Sequence, residues 1–201
     1  MEPVTRGAGA RHLVRPGNTD SGLTGEELVR VHGLDRIVYF PQYPGMALEP
    51  ATAAFLSTAG LPATRAFLVR ADVGIDDPDP IELGPLFDLE DDEFECPPER
   101  RHWPALGYLR TTLLVIDPES GKVHAYAEGE EDSLVLHRDV ESLAFCLTEF
   151  RKLLDARAQG GDTAALVRRF REAVTSFDPS PLEDVESEWN VMIAEILDGM
   201  W

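Results

Sequence analysis

The sequence predicts an α+β protein in which a β-meander is followed by a helical C-terminal third. Three observations carry this. Gly107-Tyr-Leu-Arg-Thr-Thr-Leu-Leu-Val-Ile116 has the apolar, β-branched content of a central strand. Asp117-Pro-Glu-Ser-Gly-Lys122 turns it, and Val123-His-Ala-Tyr-Ala127 and Ser133-Leu-Val-Leu-His137 return as antiparallel neighbours. After residue 139 the apolar spacing becomes helical: Val140, Leu143, Leu147, Phe150 and Leu154 step by three and four along one stripe.

Residues 1–22 lack apolar periodicity and read as a flexible N-terminal arm, leaving 23–201 as a single domain. Thr24-Gly-Glu-Glu27 is a capping box that opens a short helix ending near Gly33. Ile37–Phe40 reads as a strand stopped by Pro41. A second helix begins at Pro50, where a missing amide costs nothing, and stops at Gly60, with Ala53, Phe55, Leu56 and Ala59 facing the core. Arg65–Val73 is a strand. The acidic stretch beyond it has apolar islands at Ile81, Leu83, Leu86, Phe87, Leu89 and Phe94, read as one or two short edge strands. In the C-terminal third, Asp139 caps the first helix and Asp162 a second, which aligns Leu166, Phe170 and Val174. A last helix follows Pro179-Ser-Pro181 and buries Leu182, Val185, Trp189, Met192, Ile193 and Ile196.

Composition narrows the function. The 201 residues hold 37 acidic and 18 basic side chains, a formal charge of −19. Binding to nucleic acid or to an anionic membrane relies on clustered Lys and Arg, so both are excluded as general roles. A hydrophobic fraction of 43% is too high for a disordered acidic chain. Two cysteines, Cys96 and Cys146, suit a reducing compartment, and no signal-like or spanning apolar run is present, so a cytoplasmic location is expected.

The charge is concentrated. Residues 41–150 carry 22 acidic and 7 basic side chains, and Asp72–Glu99 holds twelve carboxylates without a Lys or Arg. Such a run is either a solvated face or a patch for a basic protein partner. Neither Asp76–Asp79 nor Asp88–Glu95 has the Gly and terminal Glu of a calcium loop. No phosphate loop, nucleophile elbow or zinc-binding helix motif occurs, and the five histidines lie far apart. His102, beside Trp103, is the most site-like of them; His124 and His137 fall on strands, where a structural role is expected. Cys146 falls inside a helix as core. The sequence thus offers no catalytic residue, metal site or cofactor motif.

The order of features has a counterpart among known proteins. Phe55-Leu-Ser-Thr-Ala-Gly-Leu-Pro62 precedes the long acidic middle and Leu114-Val-Ile-Asp-Pro-Glu-Ser-Gly-Lys-Val-His124. His137-Arg-Asp-Val-Glu-Ser-Leu-Ala-Phe-Cys-Leu147 then opens a helix, and Trp189-Asn-Val-Met-Ile-Ala-Glu-Ile-Leu-Asp-Gly-Met200 ends the chain. This collinear set resembles the SUKH superfamily of immunity proteins, in particular its fourth subfamily. Where that family often has Asn-Ser before the helix, this chain has His137-Arg138.

The resemblance implies a central, mostly antiparallel or mixed sheet with helices packed around it, and no catalytic residues. It also implies a binding protein that neutralises a cognate polymorphic toxin of nuclease or deaminase type in bacteria. Related eukaryotic proteins act as adaptors in cell-wall signalling. A toxin that acts on nucleic acid presents a basic surface, which an acidic face can mask. On this reading Asp76, Asp77, Asp79, Glu90, Asp91, Asp92, Glu93 and Glu95 form the face, Glu128, Glu130, Glu131 and Asp132 extend it, and Phe94 and Trp103 anchor it. The alternatives are a regulatory adaptor that binds host enzymes and a metal-dependent enzyme using the acidic cluster.

Overall fold

The computed structural model describes residues 23–41, 47–69, 81–89, 96–126 and 132–201. A five-stranded antiparallel sheet runs in the order β3 (Phe67–Val69), β4 (Ala105–Leu109), β5 (Thr112–Ile116), β6 (Val123–Tyr126) and β7 (Leu134–His137). A separate two-residue ribbon pairs β1 (Ile37–Val38) with β2 (Leu61–Pro62), also antiparallel. The sheet is a meander because each neighbour is also the next strand in sequence; the connections from β4 onward are short, whereas residues 70–104, which include a helix, join β3 to β4.

Alternation along the strands divides the apolar residues between two faces. Leu114, Ile116, Val123 and Ala125 face the main core, which is completed by α1 (Gly25–His32), α2 (Pro50–Thr58), α4 (Val140–Ala158), α5 (Thr163–Phe177) and α7 (Glu188–Leu197). Leu113, Val115 and Tyr126 face the other way, onto a smaller cluster with Leu83 and Leu86 of α3 (Leu83–Leu89) and with Cys96. The short α6 (Ser180–Glu183) lies between α5 and α7.

The helix starts are chemically specified. Thr24 accepts from the Glu27 amide at 3.2 Å, Asp139 from the Ser142 amide at 2.8 Å and Asp162 from the Ala164 amide at 3.1 Å. The capping box at α1 is half realised, because the Glu27 carboxylate pairs with Arg30. Gly60 ends α2 at φ +73, where an added Cβ would lie 2.6 Å from the Val38 carbonyl oxygen. Only glycine fits that turn.

The structure corrects four sequence expectations. Gly107–Ile116 is not one strand but the hairpin β4–β5, turning at Arg110 and Thr111. Arg110 adopts φ +55 there, a conformation usually marked by Gly or Asn. The islands at Leu83, Leu86 and Phe87 belong to a helix rather than to edge strands, since steps of three and four align them on one stripe; a single bridge, Glu82 to Pro104, remains strand-like. The last helix is broken into α6 and α7, with Ser187 capping α7 at the Asn190 amide. Val185 lies in that break, 81% exposed instead of buried. The Ile37–Phe40 and Arg65–Val73 strands shrink to β1 and β3 within the described residues, and residues 70–73 lie outside them.

Candidate functional site: an acidic groove between sheet and helix

Thr112 on β5, Ala125 on β6 and Leu134 and Leu136 on β7 form one wall and the floor of a groove of about 340 Å³. Asp184, Glu186, Ser187 and Glu188, leading into α7, form the opposite wall, and Asp132 closes the end before β7. Four carboxylates thus share the lining with three apolar side chains, of which Leu134 is the exposed one. Leu134 and Val185 leave apolar surface exposed beside it.

The walls are held by specific bonds. Ser187 donates to the Pro181 carbonyl at 2.8 Å, and the Asn190 amide group donates to the carbonyls of Leu182 and Asp184 at 3.2 and 2.6 Å. These fix the break between α6 and α7. On the other side Thr112 donates to Glu188 Oε1 at 2.7 Å. The Arg110 guanidinium bridges α7 by reaching Glu188 at 3.6 Å and Glu195 at 3.0 Å. Glu188 Oε2 is buried and has no hydrogen-bond partner, so its charge is balanced by Arg110 across that 3.6 Å gap.

Beneath the groove a fully buried polar chain joins β7, α4, the end of α5 and α7. Trp189 donates its indole N–H to His137 Nε2 at 3.0 Å. An indole can only donate, so Nε2 carries no proton and the neutral ring holds its proton on Nδ1. That nitrogen faces Ser142 Oγ at 3.0 Å, and Ser142 donates to Asp178 Oδ2 at 2.5 Å. Burial pushes the His137 pKa down to about 3, against the pull of Asp178. Burial opposes ionisation of Asp178, but bonds from Ser142, the Arg138 amide and Ser180 outweigh it and hold its carboxyl below the usual range. Every polar atom of the chain serves its neighbour, and His137 is shut off from solvent. The chain is therefore a structural clasp and cannot exchange protons with a substrate. Cys146 is likewise buried, its thiol pushed well up first by burial and then by Asp178 and Glu149.

Of the residues assigned to partner binding, two lie within the described residues. Asp132 is exposed and borders the groove. Trp103 is half-buried on the α3 side of the sheet, edge-on to His124 at 4.7 Å and under the Arg100 guanidinium at 5.3 Å. Arg100 in turn donates to Tyr126 and Ser133, so this tryptophan is packed into a polar knot. Asp76, Asp77, Asp79, Glu90, Asp91, Asp92, Glu93, Phe94, Glu95, Glu128, Glu130 and Glu131 lie outside the described residues. His102 is exposed and pairs with Glu82 at 2.8 Å.

The sequence reading missed Asp184, Glu186 and Glu188. The available signal was the cluster of Pro, Ser and Asp between 178 and 187, which marks a helix interruption. Among the described residues no group of three or more His, Cys, Asp or Glu could hold a metal ion, and no helix is long and apolar enough to cross a membrane.

A family model described as SUKH-4 immunity protein matches residues 23–195. No curated protein and no solved structure matches the chain.

Proposed function

The chain belongs to the SUKH-4 immunity protein family, and from that premise we propose that it is a non-catalytic inhibitor of one cognate toxin. It neutralises that toxin by covering a basic active-site surface, of the kind nuclease and deaminase toxins use for nucleic acid, with an acidic face of its own. The observation that carries this reading is the preorganised groove, where Asp132, Asp184 and Glu186 share the lining with Leu134. A formal charge of −19 steers a basic partner toward it. The acidic segments 76–95 and 128–131 extend the same attraction, while exposed apolar side chains at the groove supply contact area.

Affinity capture from the native host, washed at low and then high salt, tests the proposal. The expected result is one basic protein retained at one-to-one stoichiometry through the high-salt wash. That protein should arrest growth when expressed alone, and co-expression of this chain should restore growth. Several housekeeping proteins that wash away, or a captured protein whose toxicity this chain does not relieve, would overturn it.

A further inference from the structure

Resting on the immunity reading and deepening it, we infer that the groove between β7 and the Asp184–Glu188 segment seats one arginine side chain projecting from the toxin. Several separate properties of the groove select that occupant. Its volume of about 340 Å³ is at the lower end for organic ligands, which suits a single long side chain. Leu134, 43% exposed, gives this otherwise polar lining an apolar surface on which methylenes and the flat face of a guanidinium can lie, whereas a hydrated ammonium gains little from it. The lining carries carboxylates from two separate segments, Asp132 before β7 and Asp184 and Glu186 before α7, which gives the several donors of a guanidinium more than one acceptor.

The same wall already holds a guanidinium. Arg110 sits across Glu188 and Glu195 at 3.6 and 3.0 Å, so Glu188 is already paired and the incoming guanidinium is left to Asp132, Asp184 and Glu186. Leu134 and Val185, exposed by 43% and 81%, offer apolar contact to the residues around the incoming arginine. A buried cationic anchor ringed by apolar contact is the usual anatomy of an interface hot spot. A second copy of this chain is a poor occupant, since each copy carries −19 and would set acidic rim against acidic surface. Nucleic acid is opposed by the same charge.

The test uses the full-length, 15N-labelled chain at about 0.15 M ionic strength. It is titrated with N-acetyl-arginine N-methylamide and, separately, with the lysine counterpart. The arginine compound should shift the backbone amides of Leu134, Leu136, Glu186 and Ser187 saturably, with a midpoint at least about threefold below that of the lysine compound. The double variant Asp184→Asn/Glu186→Gln, with its far-UV spectrum and melting temperature unchanged, should raise that midpoint by about threefold or more. The inference is overturned by shifts that spread over the acidic surface without saturating, by equal responses to both compounds, or by indifference to the double variant. None of these outcomes bears on immunity itself, which growth rescue decides.

Discussion

Trp189 on α7 donates to Nε2 of His137 on β7 at 3.0 Å, and neither side chain meets solvent. Leu136 and Glu188, the chain neighbours of this pair, stand on opposite walls of the acidic groove. The bond therefore fixes the spacing of those walls, and the function proposed above depends on it.

The His137 ring gives stability a defined pH dependence. Its folded pKa is about 3, while an unfolded histidine titrates near ~6.5. Between those values the unfolded chain binds a proton that the folded chain refuses, so stability falls as pH drops from ~6.5 toward ~3, by up to about 1.4 kcal/mol per pH unit. His32, lowered to about 4 by burial and then by Arg151, acts in the same direction. Relief of repulsion in an acidic protein acts the opposite way, so the informative quantity is a difference between variants. Urea denaturation at pH 7.5, 6 and 5 should show a shallower loss of stability on acidification in His137→Gln than in the parent. Parallel curves would refute the assignment of a buried neutral imidazole.

At the β4–β5 turn, conformational strain and ion pairing oppose each other in one residue. Arg110 holds φ +55, which costs a non-glycine residue roughly 1–2 kcal/mol, and its guanidinium ties the hairpin to Glu188 and Glu195. Arg110→Ala keeps the strain and loses the tie; Arg110→Gly loses both. The alanine variant should accordingly be the less stable of the two by about 1 kcal/mol, as read by chemical denaturation.

Two glycines with similar backbone angles should respond differently to alanine. Gly60 at φ +73 would place a Cβ 2.6 Å from the Val38 oxygen and 2.8 Å from Ile37, whereas Gly160 at φ +87 has nothing within 4 Å. Gly160→Ala should cost about 1 kcal/mol, from conformation alone. Gly60→Ala must also move the β1–β2 ribbon off α2, and should cost about 2 kcal/mol or more. Thermal melts of the two variants check the order.

The legibility of this fold in its sequence follows local chemistry. Helix starts at Thr24, Asp139 and Asp162 carry their caps within a few residues, and each is found in place. The stripe Val140–Phe150 is read correctly because one long helix repeats its signal. The β4–β5 turn is invisible because Arg110 takes a conformation that only its surroundings enforce, through the Ala66 carbonyl and the α7 carboxylates. The helical nature of Leu83–Leu89 was hidden by its acidic flanks, although its stripe was present. The groove was the least legible feature. It depends on Asp184 and Glu186 meeting Asp132 and Leu134 across 50 residues, and on a helix break that leaves Val185 in solvent. The buried role of His137 needed Trp189, 52 residues away.

The most direct test of the central claim is the association rate of this chain with its captured toxin, measured across ionic strength, for the parent and for Asp184→Lys/Glu186→Lys. Reversal of both charges should slow association by about tenfold or more at low salt and flatten its salt dependence, with the fold unchanged by far-UV spectrum. An unchanged rate and an unchanged salt slope would contradict the account and remove the acidic groove from the binding surface.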